Sequence, residues 1–551
     1  MRRLVSAVLA FAAVAPIGAA QEGLPFEARV RGAQEGRTTA SKPLSEEEKI
    51  LLVLSRFTPG ATPELVDEVR KTGWSAWFDG QLKADLKESE SYNQRILEFE
   101  TIGLPMKDLF EKYTERVGKD ATEAEKREAR RRAAIPPRET LAWIMTRAVY
   151  SNNVLLESSC DFFRNHLSVS IDKGEVRFLI VDWERQVIFR RALTNFGDIL
   201  AASAKHPAML FYLDNFLSRR PPTPEELKAI ETRTRKRTGS EERADEAVDI
   251  ARQRGLNENY ARELLELHTL GVDNGYTQQD VIELAKCLTG WTIRCRVEPA
   301  FVFDRSMHCG GDKTVLGQVI KAGGVEEGEE VMRRLVAGER TAKFIAWKLC
   351  RWFVNDSPDE AMVQRVAKVF SGTNGDLPKV YRAIVDDPLF FTRENFQAKF
   401  KRPWEFVISA LRVTHADASR LAGLENALQS MNEPLYKCAD PTGYYDQAEA
   451  WRDPGAMATR WSFATDLVSG RIGGVRVPSS LYDGLPLDKP REWKAILVKK
   501  ILPIGGISEA TSASIDRLVA AELQKNPKAT PAKLGASIVA MLLGSPEFQR
   551  Q

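Results

Sequence analysis

Residues 255–293 read GLNENYARELLELHTLGVDNGYTQQDVIELAKCLTGWTI, and this stretch decides the fold class. Asn257 is a favoured residue before a helix and Gly271 a favoured residue after one, so the pattern predicts a helix over residues 258–270. A second capped helix follows, beginning after Thr277. The stretch therefore predicts two helices joined by a short glycine-containing loop.

Most of the chain on either side repeats this helical pattern. Apolar residues recur with helical spacing in nearly every readable segment. The exception lies near residues 293–304, where polar and apolar residues alternate as they do in a β-hairpin. We therefore predict a mainly α fold, a multi-helix array with orthogonal or bundle-like packing and one small β-hairpin.

Composition divides the chain into successive segments. Residues 220–248 contain almost no large apolar side chains, which is typical of an exposed, mobile insertion. The predicted order is a signal peptide (1–20), a flexible leader (21–44), an N-terminal helical region (45–219), the insertion (220–248), a central helical region with the quoted motif (249–470) and a C-terminal helical region (471–551).

The N-terminus predicts export. Arg2 and Arg3 precede an apolar run over residues 4–17, and small residues follow at 18–20. This order of charged, apolar and small residues is typical of a secretory signal peptide, so we predict cleavage after Ala20 and a periplasmic or secreted protein. No later stretch approaches the ~18 apolar residues of a membrane span, so we predict no transmembrane span after cleavage.

Overall charge argues against a nucleic-acid partner. The chain of 551 residues has 79 basic and 76 acidic side chains, a net charge of +3. A protein that binds the phosphate backbone usually carries a strong basic excess, which is missing here.

Cysteine usage suggests one disulfide and no zinc. Cys295 and Cys309 flank the predicted hairpin, and among the six cysteines they are the best candidates for a bridge in an exported protein. The chain has no CxxC pair and no Cys/His spacing typical of structural zinc. The sequence identifies no cofactor.

The first predicted helix has a polar stripe. Steps of 100° per residue place Glu258, Arg262, Glu266 and Thr269 on one side, with Asn259 and Glu263 beside them. Two interpretations stay open, a solvated ladder of ion pairs and a binding surface. The candidate binding residues are Asn257, Glu258, Asn259, Arg262 and Glu266.

His268 falls on the opposite, apolar side and is predicted to face inward. A buried imidazole without a partner costs about 1–3 kcal/mol, so His268 should bond either a backbone carbonyl or other polar groups in a pocket between helices. The candidates for such a pocket include His308, which begins a glycine-rich loop, HCGGDKTVLG (residues 308–317). The candidate catalytic residues are His268, His166, His206, Asp214 and Glu263.

The chain resembles the bacterial domain-of-unknown-function (DUF) 1800 family. The resemblance runs in order through RFTPGATPELV, FFRNHLSVS, HPAMLFYLDN, the quoted motif, KTVLG, FIAWKLCRWFV, KRPWEFV and MNEPLYKCADPTGYYDQAEAWRDPGAM. It implies an exported, mainly helical protein, often encoded beside a member of the DUF 1501 family, which looks related to sulfatases and alkaline phosphatases. It supplies no activity, so no catalytic residue is carried over. Such proteins tend to have Asp directly after the histidine of the glycine-rich loop, where this chain has Cys309 after His308.

Two functions are compatible with the sequence. The first is a cell-envelope or secretion-associated scaffold that binds a partner protein, such as the product of an adjacent DUF 1501 gene. The alternative is an envelope-polymer hydrolase, in which His268 and His166 or His206 would join a carboxylate as a metal site or an acid–base pair. The carboxylate candidates are Asp214, Glu258, Glu263 and Glu266.

Overall fold

The computed structural model describes residues 42–114, 118, 120–253, 255–294, 299–418 and 422–551. The predicted signal peptide and almost all of the predicted leader lie outside these residues. Helices dominate the described chain, which confirms the mainly α prediction. Among the helices that the structure describes, none combines the length and the apolar character that a membrane span requires.

The N-terminal half contains short and medium helices. They are α1 (Glu46–Phe57), α2 (Pro63–Thr72), α3 (Trp74–Gln81), α4 (Glu90–Ile96), α5 (Met106–Tyr113), α6 (Glu123–Ala133), α7 (Ile135–Tyr150), α8 (Val154–His166), α9 (Val176–Asp182) with the π-helix π1 (Trp183–Phe189), α10 (Phe196–Lys205), α11 (Pro207–Tyr212), α12 (Pro224–Thr238) and α13 (Glu241–Gln253).

The C-terminal half continues the array. Its helices are α14 (Asn259–Glu263) with the π-helix π2 (Leu264–Thr269), α15 (Gln278–Cys287), α16 (Val325–Ala337), α17 (Glu339–Phe353), α18 (Glu360–Gly372), α19 (Leu377–Asp386), α20 (Pro403–Val413), α21 (Ala422–Ser430), α22 (Pro454–Val468), α23 (Trp493–Ile501), α24 (Glu509–Lys525) and α25 (Ala536–Leu543), the last preceded by a π turn, Pro531–Gly535.

The predicted hairpin is present and is not the only one. Strands β1 (Trp291–Arg294) and β2 (Ala300–Phe303) pair antiparallel. Two more antiparallel pairs occur, β3 (Lys313–Val315) with β4 (Gln318–Ile320) and β5 (Asp417–Ala418) with β6 (Val475–Arg476). The described residues therefore contain more β-structure than the single predicted hairpin. Strands of two or three residues are too short to show an alternating pattern.

One hydrophobic core joins the three predicted helical regions. Phe57 on α1 is fully buried in this core, and its ring centroid lies 4.9 Å from that of Phe78 and 5.0 Å from that of Phe353. The buried cluster extends from Leu44 to Phe548. Offset and edge-to-face aromatic pairs of this kind each add about 0.5–1.5 kcal/mol beyond the area they bury.

The predicted insertion is a helical hairpin. Thr223 caps α12, and α12 has no buried side chains, which agrees with an exposed segment. The following α13 packs against α12 and buries Ala244 and Val248. Helix-forming Glu, Lys and Arg side chains explain why a segment with so few large apolar residues is helical. Its mobility stays a prediction.

The quoted motif contains a π-helix that the sequence pattern did not indicate. In the first of its two predicted helices only Asn259–Glu263 is α-helical, and Leu264–Thr269 is π-helical. The Thr269 hydroxyl donates to the Leu264 carbonyl, 2.6 Å away, and Thr269 is buried. The prediction that Thr269 shares the polar stripe was therefore wrong, because the wider turn changes the face on which later residues lie. Such π turns are frequent at functional sites.

Candidate functional site

Segments that carry the family resemblance converge on two neighbouring cavities. The cavities lie under an irregular segment, residues 431–446, which we call the strap. The other walls come from the end of α8, the π2 region, α17 and the start of α20. Chain folding thus brings together residues that are far apart in sequence.

The larger space, the inner cavity, has a volume of about 120 Å³. It is lined by Phe162, Asn165, His166, Glu266, Leu267, Val272, Phe344, Trp347, Lys348, Arg351, Trp352, Thr442, Tyr444 and Asp446. The smaller space, about 30 Å³, is lined by charged residues that include Asp161, Arg402 and Glu433. Asn165 and Tyr444 line both spaces, so the two form one candidate site.

Asn165 at the end of α8 fixes the middle of the strap. Its amide nitrogen donates to the Tyr444 carbonyl at 2.9 Å, and its amide oxygen accepts from the Tyr444 N–H at 2.7 Å. Gly443 beside it has φ +82°, and a Cβ there would lie 2.4 Å from the Asn165 carbonyl oxygen. Only glycine fits this close approach without strain.

Acidic and phenolic side chains fix the rest of the strap. The Glu433 carboxylate accepts from the Arg402 guanidinium and from the Trp404 N–H, the latter at 2.7 Å. The Tyr436 hydroxyl donates to Glu184, although Tyr436 has φ 55°, an uncommon conformation for a bulky residue. These anchors hold the strap against a charged interior.

That interior is a buried ionic network. Arg147, whose side chain is fully buried, contacts Glu157 at 3.0 Å and Glu184 at 2.7 Å. Arg164 contacts Glu184 at 3.1 Å. The Arg402 guanidinium bonds both Asp161 and Glu433. Paired in this way, each buried charge recovers part of its lost hydration.

This network has more carboxyl groups than guanidinium groups, so the carboxyl groups do not share the cations equally. The pKa values of the carboxyl groups therefore differ. Burial raises the pKa of Glu433 to about 7, and burial also raises the pKa of Asp161. Burial opposes the ionisation of Glu184, but Arg164 and Arg147 outweigh it and lower its pKa to about 2. The network therefore contains an ionised carboxylate and a carboxyl group that exchanges protons near neutral pH.

His268 faces inward, as predicted. Its ring, however, forms a hydrogen bond neither to a backbone carbonyl nor to another polar side chain among the described residues. Its side chain is 1% exposed, and neither ring nitrogen has a hydrogen-bond partner among the described residues. Its own carbonyl oxygen instead accepts from Nε2 of His166 at 3.2 Å. Burial and the charge of Lys348 lower the pKa of His268 to about 3. A neutral imidazole of this kind is a weak general base at neutral pH.

Two other predicted candidates lie in separate environments. His206 precedes α11, where its Nδ1 accepts from the Ala208 N–H at 3.1 Å, while its Nε2 lies 3.3 Å from Asp182. Asp214 forms an ion pair of 2.7 Å with Lys173. Neither residue lines the paired cavities. His166 lines the inner cavity and His268 does not, although their ring centroids are 6.1 Å apart.

The polar stripe is largely an ion-pair ladder. Arg262 lies 3.3 Å from Glu258 and 3.5 Å from Glu266, and only Glu266 reaches the inner cavity. Asn257 accepts from the N–H of exposed Asn259 at 2.9 Å. The helix begins at Asn259, one residue later than predicted, so Glu258 and not Asn257 occupies the cap position.

Glu263 is half-buried beside this ladder. Burial, reinforced by Glu266, raises its pKa to about 7. It lines neither of the paired cavities, so a catalytic role for Glu263 stays a prediction.

His308 belongs to a different buried group. Its Nε2 lies 3.1 Å from Glu327, which also contacts Lys313 at 2.6 Å. This group holds the glycine-rich loop against α16 and does not line the paired cavities. Cys295 lies outside the described residues, so its predicted disulfide with Cys309 stays a prediction.

A much larger concavity, the outer cleft, lies on the other side of the strap. Its volume is about 1250 Å³. Its apolar residues include Phe110, Ile171, Phe178 and Phe211. Lys437 of the strap lines this cleft, whereas its neighbours Tyr436 and Cys438 line the smaller inner space. The strap is therefore a wall shared by the cleft and the paired cavities.

Comparison with known families places the chain. The model of the family described as "Protein of unknown function (DUF1800)" matches residues 52–550. The chain belongs to the DUF1800 family. No curated protein and no solved structure matches it. The family description names no activity, so the function of this DUF1800 protein has to be inferred from its own residues.

The described part of this DUF1800 protein contains no group of three or more His, Cys, Asp or Glu side chains placed to hold a metal ion. The Lys348 ammonium near His166 and His268 would also repel a cation. The arrangement of His166 and His268 therefore gives no support to the predicted metal site.

Sequence reasoning missed the strap and the ionic network. Arg147 in LAWIMTRAVY and Glu184 in VDWERQV offered one signal, a lone charge among apolar residues. A charge in such a setting is buried only if it is paired. Its partners, however, lie on other helices, and the sequence pattern does not identify them.

Proposed function

We propose that this DUF1800 protein is an exported envelope scaffold that binds a polypeptide partner in the outer cleft. The observation that carries the proposal is the size of the cleft, about 1250 Å³. Pockets for small molecules usually measure about 300–1000 Å³, so the cleft suits a longer ligand.

The lining of the cleft favours a polypeptide. Half-buried Phe110, Ile171 and Phe211 form an apolar floor that could receive apolar side chains. Charged residues of both signs surround this floor, so the cleft has no strong field for a polyanion. They are Lys126, Arg130, Arg177 and Lys437 with Glu111, Asp172 and Glu175.

The partner we propose is the product of an adjacent DUF 1501 gene, which the family resemblance implies. Export, based on the predicted signal peptide, would place this protein in the envelope. His206 and Asp214 are engaged in contacts within the chain, which weakens the case for catalysis by these residues.

Charge reversal at the rim tests this proposal. The double variant Arg177→Glu, Lys437→Glu changes two exposed residues of the cleft and should weaken binding of the purified DUF 1501 product by about tenfold or more. Isothermal titration calorimetry of residues 21–551 measures the change. Arg491→Glu, an exposed arginine outside the cleft, is the matched control and should bind like wild type. Absence of binding by the wild type, or equal binding by the double variant, would contradict the proposal.

An envelope-polymer hydrolase is a second candidate function, and its candidate catalytic residues differ from those predicted from the sequence. Glu433 and Asp161 share Arg402, and burial raises the pKa of both carboxyl groups, that of Glu433 to about 7. A carboxyl group that is partly protonated at neutral pH can act as a general acid. In this version His268 is no longer the central residue.

A further inference from the structure

We propose that the inner cavity binds a single neutral sugar ring. The proposal is independent of the outer cleft, and it names a substrate class on which the second candidate function would act. It depends on the size of the cavity, its aromatic walls, its balanced charges and an unpaired acceptor on His166.

The volume limits the ligand to one ring. The inner cavity measures about 120 Å³. A dry cavity of about 150 Å³ in another protein accepts benzene, and a sugar ring with its hydroxyl groups is larger than benzene, so the cavity would hold part of one ring while the rest lies at its mouth. A polymer chain would not fit, which limits the ligand to a single sugar unit or the end of a chain.

Aromatic side chains form much of the wall. Phe344, Trp347 and Trp352 come from α17, and Tyr444 comes from the strap. The face of an aromatic ring is electron-rich, and the C–H groups of a sugar ring carry small positive charges, so the two surfaces attract each other.

Charges in the lining balance. Lys348 and Arg351 face Glu266 and Asp446, two cations against two anions. Arg351 and Asp446 form an ion pair of 2.9 Å, and Glu266 lies 3.5 Å from Arg262 outside the cavity. A charged ligand would therefore disturb existing pairs, whereas a neutral ligand with hydroxyl groups would add hydrogen bonds to them.

His166 supplies an acceptor that needs a donor. Its Nε2 lies 3.2 Å from the His268 carbonyl oxygen, so Nε2 carries the proton and Nδ1 is the acceptor. Nδ1 is buried and has no partner among the described residues. Burial and the charge of Lys348 hold the pKa of His166 well below its usual range, so the ring stays neutral. A sugar hydroxyl can donate to such a nitrogen, and Asn165 and Thr442 add further polar groups to the lining.

Fluorescence titration tests the proposal. Residues 21–551 are titrated with glucose, N-acetylglucosamine and galactose, and with glucuronate as a charged comparison, to about 50 mM while tryptophan emission is recorded, because Trp347 and Trp352 line the cavity. At least one sugar should bind saturably. Glu266→Gln and Thr442→Val should each weaken that binding by about fivefold, the effect of one lost hydrogen bond.

Matched variants and ligands make the result decisive. Glu231→Gln, which alters a glutamate paired with an arginine on exposed α12, should bind like wild type. Methyl glycosides of the same sugars distinguish a unit of a polymer, which they mimic, from a free monosaccharide, and binding of either kind supports the sugar class. No saturable binding of any sugar would overturn the proposal. So would equal binding by Glu266→Gln and Thr442→Val with unchanged unfolding curves, or binding of glucuronate alone.

Discussion

Arg147→Met should lower the free energy of unfolding by about 3–5 kcal/mol, the usual cost of removing one partner from a buried ion pair. Arg147 is fully buried and contacts both Glu157 and Glu184. Its guanidinium also lies 4.0 Å from the centre of the Trp143 ring. Methionine would keep much of the packing but would leave buried Glu157 without its ion-pair partner and Glu184 with Arg164 alone. Urea unfolding followed by circular dichroism measures the change.

Arg70→Met is the matched control. Arg70 pairs with Glu47 and with Asp67, the latter at 2.7 Å, but its side chain is 46% exposed. An exposed pair contributes about 0–1 kcal/mol, so this variant should unfold almost like wild type. If Arg147→Met cost no more than Arg70→Met, the ionic network would not be the stabilising element described above. Adding Glu157→Gln to Arg147→Met should recover part of the loss, because residue 157 is then neutral and Glu184 keeps its pair with Arg164.

Glu433→Gln should change how stability depends on pH. The pKa of Glu433 in the folded protein, about 7, lies above its ordinary value of 4.5, so the folded state binds more protons between these values. The contribution of Glu433 is therefore fully favourable below pH 4.5 and is lost as pH rises to 7. The unfolding free energy of wild type relative to Glu433→Gln should fall by about 3 kcal/mol over this interval.

Glu184→Gln provides a comparison of opposite sign. The pKa of Glu184 in the folded protein is about 2, below its ordinary value of 4.5, so the contribution of Glu184 is present above pH 4.5 and is lost as pH falls towards 2. Chemical unfolding at a series of pH values measures both variants. If the unfolding free energies of wild type and Glu433→Gln differed by a constant amount from pH 4.5 to 7, Glu433 would be ionised throughout this range. Glu433 would then no longer be a candidate general acid.

The mainly α class was predictable because helix caps and apolar spacing are local features of the sequence. Thr277 with Asp280 forms a capping box, and α15 begins directly after Thr277, where the sequence indicates. Capping and apolar spacing depend on residues within one or two turns, so a single sequence contains them. The mainly α class and the β1–β2 hairpin follow from such signals.

The candidate site was less predictable because it depends on contacts between distant segments. Arg402 bonds Asp161, which is 241 residues away in the chain, and Tyr436 bonds Glu184 across 252 residues. The π turn over Leu264–Thr269 depends in part on packing, and a helical wheel with constant steps does not anticipate it. His268 was correctly placed inside, but its ring contacts were not predictable from its own helix.

Hydrogen–deuterium exchange of residues 21–551, with and without the purified DUF 1501 product, tests the central claim most directly. Binding in the outer cleft should slow exchange in peptides that contain Phe110, Arg130, Arg177 and Phe211, which line it. Peptides that contain only inner-cavity residues, such as Trp347 and Trp352, should exchange as before. No slowing in any peptide, or slowing confined to the inner cavity, would contradict the account of this DUF1800 protein as a scaffold that uses its outer cleft.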